Sequence, residues 1–323
     1  MKAKLRAIIQ RFPKARVLVL GDLILDEFIW GKVERISPEA PVPVVLVNSE
    51  SFMPGGATNV ASNVASLGGG ALICGIAGDD KAGNTLSSEL QKRGVDTSGI
   101  IIDAERPTTL KTRIIAHHQQ VVRVDREKNS PLGDNLREQI LSFIRRNIEK
   151  VDALIIEDYG KGVIGPRLLA EVLPLARKHK KIVTVDPKID HFSYYQGVTC
   201  ITPNEKEAQE GSGIKIESDE DINKAGRKLL KELKLESCLI TMGENGMRLF
   251  EKEGKITHIP TVAQEVFDVS GAGDTVIATF TLALACGAGK LEAAHLSNFA
   301  AGIVVSKVGT AVVSKEELLE RIS

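Results

Sequence analysis

Cysteine is scarce in this chain of 323 residues, and its four copies, Cys74, Cys200, Cys238 and Cys286, lie far apart. With no C-x-x-C and no Cys/His spacing, a zinc site or a disulfide framework is excluded, and the thiols read as small apolar residues in a reducing compartment. Net charge is also missing: 42 basic residues cancel 42 acidic ones. No global field therefore draws the chain to nucleic acid or to an anionic membrane. The longest apolar run, near residues 276–287, is too short to span a bilayer. The basic N-terminus lacks the continuous apolar stretch of a signal peptide; Leu5, Ile8, Ile9 and Phe12 recur at helical spacing instead. A cytoplasmic location is expected by elimination. No G-x-G-x-x-G follows the first apolar strand, which argues against a nicotinamide enzyme, and there is no internal repeat or low-complexity linker. Hydrophobic content of 43% with 26% charged residues is that of a globular protein with a sizeable core.

Within that frame, strand-like runs alternate with helix-like ones. Arg16–Leu20, Ala71–Ala77, Asp152–Ile156, Lys181–Val185, Cys200–Thr202 and Cys238–Thr241 read as strands, and 57–67, 80–93, 166–178 and 204–210 as helices. The alternation predicts an α/β fold, a mainly parallel sheet flanked by helices, with ligands at the carboxyl ends of the strands. Segments 27–50 and 108–125 break the rhythm, being strand-rich without helices between. They predict a small antiparallel sheet that projects as a lid or pairs with a second subunit, so a homodimer through that sheet is expected.

The most informative stretch is Asp268-Val-Ser-Gly-Ala-Gly-Asp-Thr275, which runs into the apolar segment Thr275–Ala285. A glycine loop at the start of a buried helix offers backbone N–H groups to an anion, and glycine lets a phosphate come close. Asp274 is out of place in a site that only binds phosphate. It makes sense if it takes a proton from a hydroxyl that attacks the phosphate; a glycine turn followed by an N-terminal helix acid is the plainer alternative.

Weaker signals fall at other strand ends. Gly55-Gly56 reads as a glycine turn at a helix start, with Asn59 one turn in; Asp22 and Asp26 flank a strand end and could bind hydroxyls or cap the chain. Asn204 and Glu207, three apart, suit water-mediated Mg²⁺ binding and equally suit a capped helix start. Thr241-Met-Gly243 could pass beside a nucleotide or be a turn. Asp158-Tyr-Gly-Lys161 and Asp186-Pro-Lys188 put acid–lysine pairs at two strand ends, as surface ion pairs also would.

Taken in order, Gly21-Asp22 and Asp26, Gly55-Gly56 with Asn59, Asn204 with Glu207, Thr241-x-Gly243 and the Gly-Ala-Gly-Asp loop preceded by Asp268 resemble the ribokinase-like (PfkB) family of carbohydrate kinases. A finer resemblance, over roughly residues 10 to 315, is to the kinases of D-glycero-β-D-manno-heptose 7-phosphate. It rests on Arg35-Ile-Ser-Pro-Glu-Ala-Pro-Val-Pro43, Lys111-x-Arg113, Gln119-Gln120-x-x-Arg123-x-Asp125, Asp158-Tyr-Gly-Lys161, Val185-Asp-Pro-Lys188 and Thr202-Pro-Asn204. Bifunctional relatives add an H-x-G-H nucleotidyltransferase domain that is not in this sequence, so a single kinase domain over 1–323 is expected. Glu157 departs from the pattern, which has a smaller residue such as Ser before Asp158.

The resemblance implies a three-layer αβα fold and transfer of the ATP γ-phosphoryl to the anomeric 1-OH of the heptose phosphate, in lipopolysaccharide-core synthesis. It implies Asp274 as general base, ionised at neutral pH without a large pKa shift, and the N–H groups of Gly271, Ala272 and Gly273 as an anion hole. Asp26, Gly55, Gly56 and Asn59 would bind sugar hydroxyls. Arg123 and Lys188, then Lys161 and Arg113, are the cations for the 7-phosphate. Asn204, Glu207 and Asp186 would steer Mg²⁺ and ATP, with Thr241 and Gly243 beside the nucleotide; Asp268 and Gly309 fall where the family places a monovalent cation such as K⁺. A kinase for another sugar, and a catalytically silent sugar-binding homologue, are the competing readings.

Overall fold

A computed structural model describes the whole chain except His118, Gln264, Val308, Thr310 and Ser323. In chain order, α1 (Lys2–Ile9) and β1 (Arg16–Gly21) lead to a hairpin of β2 (Leu23–Ile36) and β3 (Pro43–Gly56). Next come α2 (Ala57–Ser66), β4 (Gly70–Gly78), α3 (Lys81–Lys92) and β5 (Asp96–Asp103), then a second hairpin, β6 (Thr109–Ala116) and β7 (Gln119–Arg126). The middle runs through α4 (Asp134–Asn147), β8 (Ala153–Glu157), α5 (Pro166–Lys178), β9 (Ile182–Asp186), β10 (Cys200–Ile201), α6 (Glu205–Ser212) and α7 (Asp219–Glu232). It closes with β11 (Ser237–Thr241), β12 (Met247–Glu251), β13 (Ile256–Ile259), α8 (Ala272–Ala285), α9 (Lys290–Val304) and α10 (Lys315–Arg321).

Nine strands form one sheet in the order β13-β12-β11-β10-β9-β8-β1-β4-β5. It is parallel from β11 to β5, and β12 and β13 close one edge antiparallel. Alternation along β1 explains the layers: Val17 and Val19 face one apolar cluster with α2, α8 and α9, while Leu18 and Leu20 face another with α4 and α5. Helices thus cover both faces, the three-layer αβα arrangement. Helix α8 is buried on all sides from Asp274 to Leu284, as its uninterrupted apolar composition requires. All four cysteines are free and buried. Among the described residues no helix is long and apolar enough to cross a membrane.

The second sheet runs β3-β2-β6-β7. Each hairpin is antiparallel, and the two join through a parallel β2–β6 pair. Both hairpin strands are longer than the sequence reading gave them. The ladder pairs Leu23 with Gly56, Ile24 with Gly55 and Asp26 with Met53, so Gly55-Gly56 ends a strand instead of forming a free turn, and Asp26 lies inside one. Register then fixes a face. Asp26 pairs with Lys111 and Lys111 with Asp125; Phe28 pairs with Arg113 and Arg113 with Arg123. With a side-chain period of two, these residues share one side of the small sheet, and Val122 and Val124 point to the other, 44% and 53% exposed.

Candidate active site

Asp274 sits in the first turn of α8 and is 4% exposed. Asn59, from α2, donates its amide to Asp274 Oδ2 at 2.6 Å, and the Tyr159 hydroxyl donates to Oδ1 at 3.1 Å. Two donors from different elements hold the carboxylate in one orientation. Tyr159 is a residue to which the sequence reading gives no role: its stretch enters as an acid–lysine pair and as part of the motif resemblance, and nothing local shows that the loop after β8 reaches α8. Burial pushes the Asp274 carboxyl up to about 6, with the Asn59 and Tyr159 hydrogen bonds opposing the rise. The expectation of no large shift is therefore corrected, because a fully enclosed carboxylate loses its hydration. At neutral pH it is still mostly ionised, in the range a general base needs.

Of the three loop amides expected to meet an anion, one is already engaged within the loop. Gly271 is the N-cap residue at φ 76°, a left-handed conformation that glycine adopts without strain. The Ala272 N–H is already used, donating to Val269 O at 3.2 Å, because the loop closes as a turn. The N–H groups of Gly271 and Gly273 have no partner among the described residues. A Cβ on Gly273 would come 3.9 Å from Asp186 Oδ2, so the side-chain face of this glycine looks towards the end of β9.

Between that loop and the small sheet lies a cavity of about 130 Å³, lined by Asp26, Gly55, Gly56, Lys111, Arg113, Tyr159, Gly271 and Asp274 among others. A Cβ on Gly55 would collide with Asp26 Oδ2, so any larger residue here would push that carboxylate aside. Arg113 pairs with Asp26 and lies 5.3 Å from the centre of the Phe28 ring. Arg123 pairs with Asp125 at 2.9 Å and Lys161 with Glu127 at 2.8 Å. Lys111, half-buried on the same face, has no ion-pair partner among the described residues. Its ammonium is made less basic by burial and then by Lys161 nearby, with Asp125 and Asp26 opposing. The sequence reading quoted Lys111 in a motif but left it out of the cations; the parallel β2–β6 register that sets it beside Asp26 is a tertiary fact. Lys188 goes elsewhere. Its side chain runs along Gly160, its charge acts on Glu207, and it is not among the residues that line the small cavity.

A larger cleft of about 530 Å³ opens beside the start of α5, lined by Arg137, His191 and Tyr194 among others. It has no carboxylate in its wall, so size does not mark the chemistry here.

The partners of Asp22 and Asp158 show what each aspartate does. Asp22 accepts backbone N–H groups from Tyr159 (2.9 Å), Lys161 (3.0 Å) and Val163 (3.1 Å), so it organises that loop. Asp158 accepts from the Gly160 N–H, from Tyr195 and from His191. Strand alternation sends Asp158 to one side of the sheet and Glu157 to the other, towards α8.

Glu157 and Asp186 are register partners at the ends of β8 and β9. One oxygen from each, and one from Asp274, lie within 4.8 Å of one another. Two unit charges at 4.8 Å repel by roughly 3.5 kcal/mol even at an effective dielectric of about 20, so these three carboxylates, two buried and one partly buried, do not all stay ionised without a cation or protons. Burial, with Asp186 and Asp274 beside it, holds the Glu157 carboxyl well above the usual range. Asp186 is raised too, by burial and then by Glu207 and Asp274, while Thr202 donates to it at 3.2 Å. The donor set is all oxygen, which fits Mg²⁺ or Mn²⁺.

Of the two readings left open for Asn204 and Glu207, the capped helix start is present: Asn204 is the N-cap of α6 and the two form a reciprocal capping box, each bond 2.9 Å. That commits one polar atom of each side chain. Thr241 ends β11 and bridges to Asn204, and Gly243, at φ 54°, has open space where a side chain would stand. Asp268 accepts N–H groups from Ser270 (2.9 Å) and Gly309 (3.0 Å), clasping the glycine loop to the segment after α9.

Known proteins bear on this arrangement directly. The profile for the pfkB family carbohydrate kinase matches residues 14–317. The chain is 48% identical over 302 residues to the bifunctional protein HldE of Geobacter metallireducens, covering 94% of this chain and 62% of that protein. It is 46% identical over 303 residues to HldE of Helicobacter pylori, covering 94% and 65%. The chain thus spans less than two thirds of the length of these curated relatives. Similar solved structures include Arabidopsis thaliana ribokinase complexed with ribose and ATP (TM-score 0.76, 20% identity, 95% of this chain and 98% of that one). Escherichia coli phosphofructokinase-2 in complex with potassium is another (TM-score 0.79, 20% identity, 95% and 98%). These two show a shared fold. With the family profile covering nearly its whole length, the chain belongs to the pfkB family of carbohydrate kinases and is a phosphotransferase.

Proposed function

We propose that the protein transfers the γ-phosphoryl of ATP to the anomeric 1-OH of D-glycero-β-D-manno-heptose 7-phosphate, as a cytoplasmic enzyme of ADP-heptose and lipopolysaccharide-core synthesis. The observation that carries the substrate class is Lys111, an unpaired half-buried ammonium in the wall of the cavity that also holds Asp274. A neutral sugar gives little reason to half-bury an ammonium that makes no ion pair, even with Asp26 and Asp125 as register neighbours; a sugar phosphate does. Arg113 and Arg123 on the same face, and Lys161 from the loop after β8, are further cations, each held in an ion pair with a carboxylate. The motif resemblance to heptose 7-phosphate kinases and the identity to the HldE proteins support the choice of sugar.

In this reading Asp26 and Asn59, with the close backbone of Gly55 and Gly56, hold the sugar hydroxyls. Asp274 accepts the proton of the 1-OH as its oxygen attacks phosphorus, oriented by Asn59 and Tyr159. The N–H groups of Gly271 and Gly273 meet the transferring phosphoryl oxygens, where negative charge shifts during transfer. Thr241 and Gly243 flank the nucleotide, and Lys188 is reassigned to its phosphates. Asp186, Glu207 and Asn204 would hold Mg²⁺, which when bound neutralises phosphate charge. Asp268 and Gly309 are proposed to border a monovalent cation. The exposed Val122 and Val124 on the outer side of the small sheet support a homodimer through that sheet, which would serve as a lid.

The test is ADP release with ATP and Mg²⁺ against the heptose 7-phosphate, the unphosphorylated heptose, fructose 6-phosphate, fructose and ribose. A strong preference for the heptose phosphate is expected. Turnover of another sugar alone would retain Asp274 and the glycine loop and discard the heptose, and no turnover with any sugar would favour a silent binding homologue.

A further inference from the structure

Asn63 stands inside α2, four residues after Asn59 and on the same face of the helix. Every residue from Ala57 to Val64 is buried, and Asn63 is fully so. Asparagine is a poor helix-interior residue, and a buried amide costs free energy unless its polar atoms are met. Apolar packing therefore gives no reason for it here. Buried hydroxyls in the same helical layer find a partner within their own helix: Ser62 donates to Thr58 O and Ser297 to Ala293 O. Asn63 reaches outside its helix as well.

Its contacts decide which way the amide stands. Asn63 Nδ2 lies 3.0 Å from Asn59 O, a carbonyl that only accepts, so the nitrogen must face it. The same nitrogen is 3.4 Å from the side-chain oxygen of Asn59. Asn63 Oδ1 then turns towards α8, where the Thr275 hydroxyl lies 3.1 Å away. That hydroxyl is also 3.0 Å from Gly271 O, the carbonyl of the N-cap residue, and shares its proton between the two. One side chain thus joins two parts of the site. Through Asn59 it reaches the base, because an Asn59 oxygen turned to Asn63 leaves the amide nitrogen for Asp274 Oδ2, at 2.6 Å. Through Thr275 it reaches the first glycine of the loop.

We propose that Asn63 is a positioning residue, which fixes the Asn59 amide so that its nitrogen meets Asp274 and fixes that carboxylate relative to the glycine loop. The inference rests on the reading of Asp274 as base and is independent of which sugar is phosphorylated. An asparagine that only tied α2 to α8 would, when replaced, cost stability and leave the titration of Asp274 unmoved.

The experiment compares wild type with Asn63→Ser. A helical serine bonds the carbonyl four residues back, as Ser62 does, so the variant keeps a contact with Asn59 O and loses those with Asn59 Oδ1 and Thr275. Two readouts are taken. One is the pH profile of ADP release with ATP, Mg²⁺ and the sugar that wild type turns over. The other is the titration of Asp274 in the substrate-free protein by carbon-13 NMR of labelled aspartate carboxyls, its signal identified by its loss in Asp274→Asn. Burial raises the Asp274 carboxyl to about 6 and the Asn59 hydrogen bond opposes that rise, so loosening the bond moves the value further up. Asp26, Glu157, Asp186 and Tyr159 also face Asp274 and are unchanged in the variant. The NMR midpoint and the acid limb of kcat/KM are both expected to rise by about half a pH unit or more. At neutral pH kcat should fall about tenfold, since a small misplacement of a reacting group costs up to about 10²-fold. KM for ATP should stay within about twofold. Thr275→Val keeps the shape and cuts only the arm to the loop, so kcat should fall with the acid limb in place. If Asn63→Ser does not fold, as judged by circular dichroism, Asn63→Leu is expected to give the same shifts. A folded Asn63 variant with the midpoint and acid limb of wild type overturns the proposal, whatever its stability. Wild type that turns over no sugar would sink the kinase reading, and the NMR midpoint would then decide by itself whether Asn63 holds Asn59 to Asp274.

Discussion

Lys111→Met is the sharpest probe of the cavity. Methionine keeps the unbranched stem and removes only the ammonium, so the β2–β6 ladder and the packing beside Asp26 are preserved. Charge-assisted hydrogen bonds are worth about 1.5–3 kcal/mol, and an exposed pair under about 1 kcal/mol. Lys111 is half-buried, which places its contact with a substrate phosphate near the lower end of the first range, about 1.5 kcal/mol. Since about 1.4 kcal/mol is tenfold, kcat/KM for the heptose 7-phosphate should fall roughly tenfold. The loss should fall mainly on KM, because the 7-phosphate is remote from the reacting 1-OH and is bound similarly before and during transfer. The control is the same sugar without its phosphate: its kcat/KM, low to begin with, should stay within about twofold of wild type. Coupled ADP release measured on both substrates gives the comparison. An equal loss on both would show that Lys111 shapes the cavity without reading the phosphate, and no loss on either would remove it from the site.

Other outcomes follow from the same geometry. Asp274→Asn preserves the shape but cannot accept a proton, so kcat should drop on the order of 10²–10⁴-fold with circular dichroism unchanged; near-normal turnover would displace it as base. The Asp274 carboxyl, raised to about 6 by burial, must be ionised to act, so kcat/KM should fall as pH drops through about 6. Tyr159→Phe removes a donor that holds this value down, and the acid limb should shift to higher pH; a limb that stays in place would show that Tyr159 does not tune the base. Asp22→Asn should destabilise the fold by about 2 kcal/mol in denaturant unfolding. Both Asp22 oxygens accept N–H groups, and the new amide would turn a donor towards one of those donors. At the clasp between the glycine loop and Gly309, replacing Na⁺ by K⁺ should raise the rate of wild type but not of Asp268→Asn, and a rate indifferent to both cations would remove the monovalent site.

Much of this architecture is legible in the chain because it is written in local patterns. The alternation of apolar runs gives the parallel sheet, and the unbroken apolar stretch after Asp274 gives a helix buried on every side. The glycines before it allow the left-handed turn at Gly271 and close approach at Gly273. Those are properties of neighbours in sequence, and so are the capping signals of Asn204 with Glu207, although the sequence could not tell the cap from a metal ligand. The pairing of Asp274 with Asn59 and Tyr159, 215 and 115 residues away, is of another kind, since it depends on three elements meeting at one strand end. The same holds for Lys111, whose place beside Asp26 is set by a parallel register between two hairpins, and for Lys188, whose charge acts on Glu207. Glu157 shows the limit most clearly. In sequence it is only an unusual residue before Asp158; strand alternation gives the two opposite faces, and tertiary packing alone decides that one is fully hydrogen-bonded while the other is buried among carboxylates. Sequence determines which groups are available and the local shape that carries them, and the long-range register determines which charges are brought together, because Coulomb energies depend on distances that only the folded chain defines.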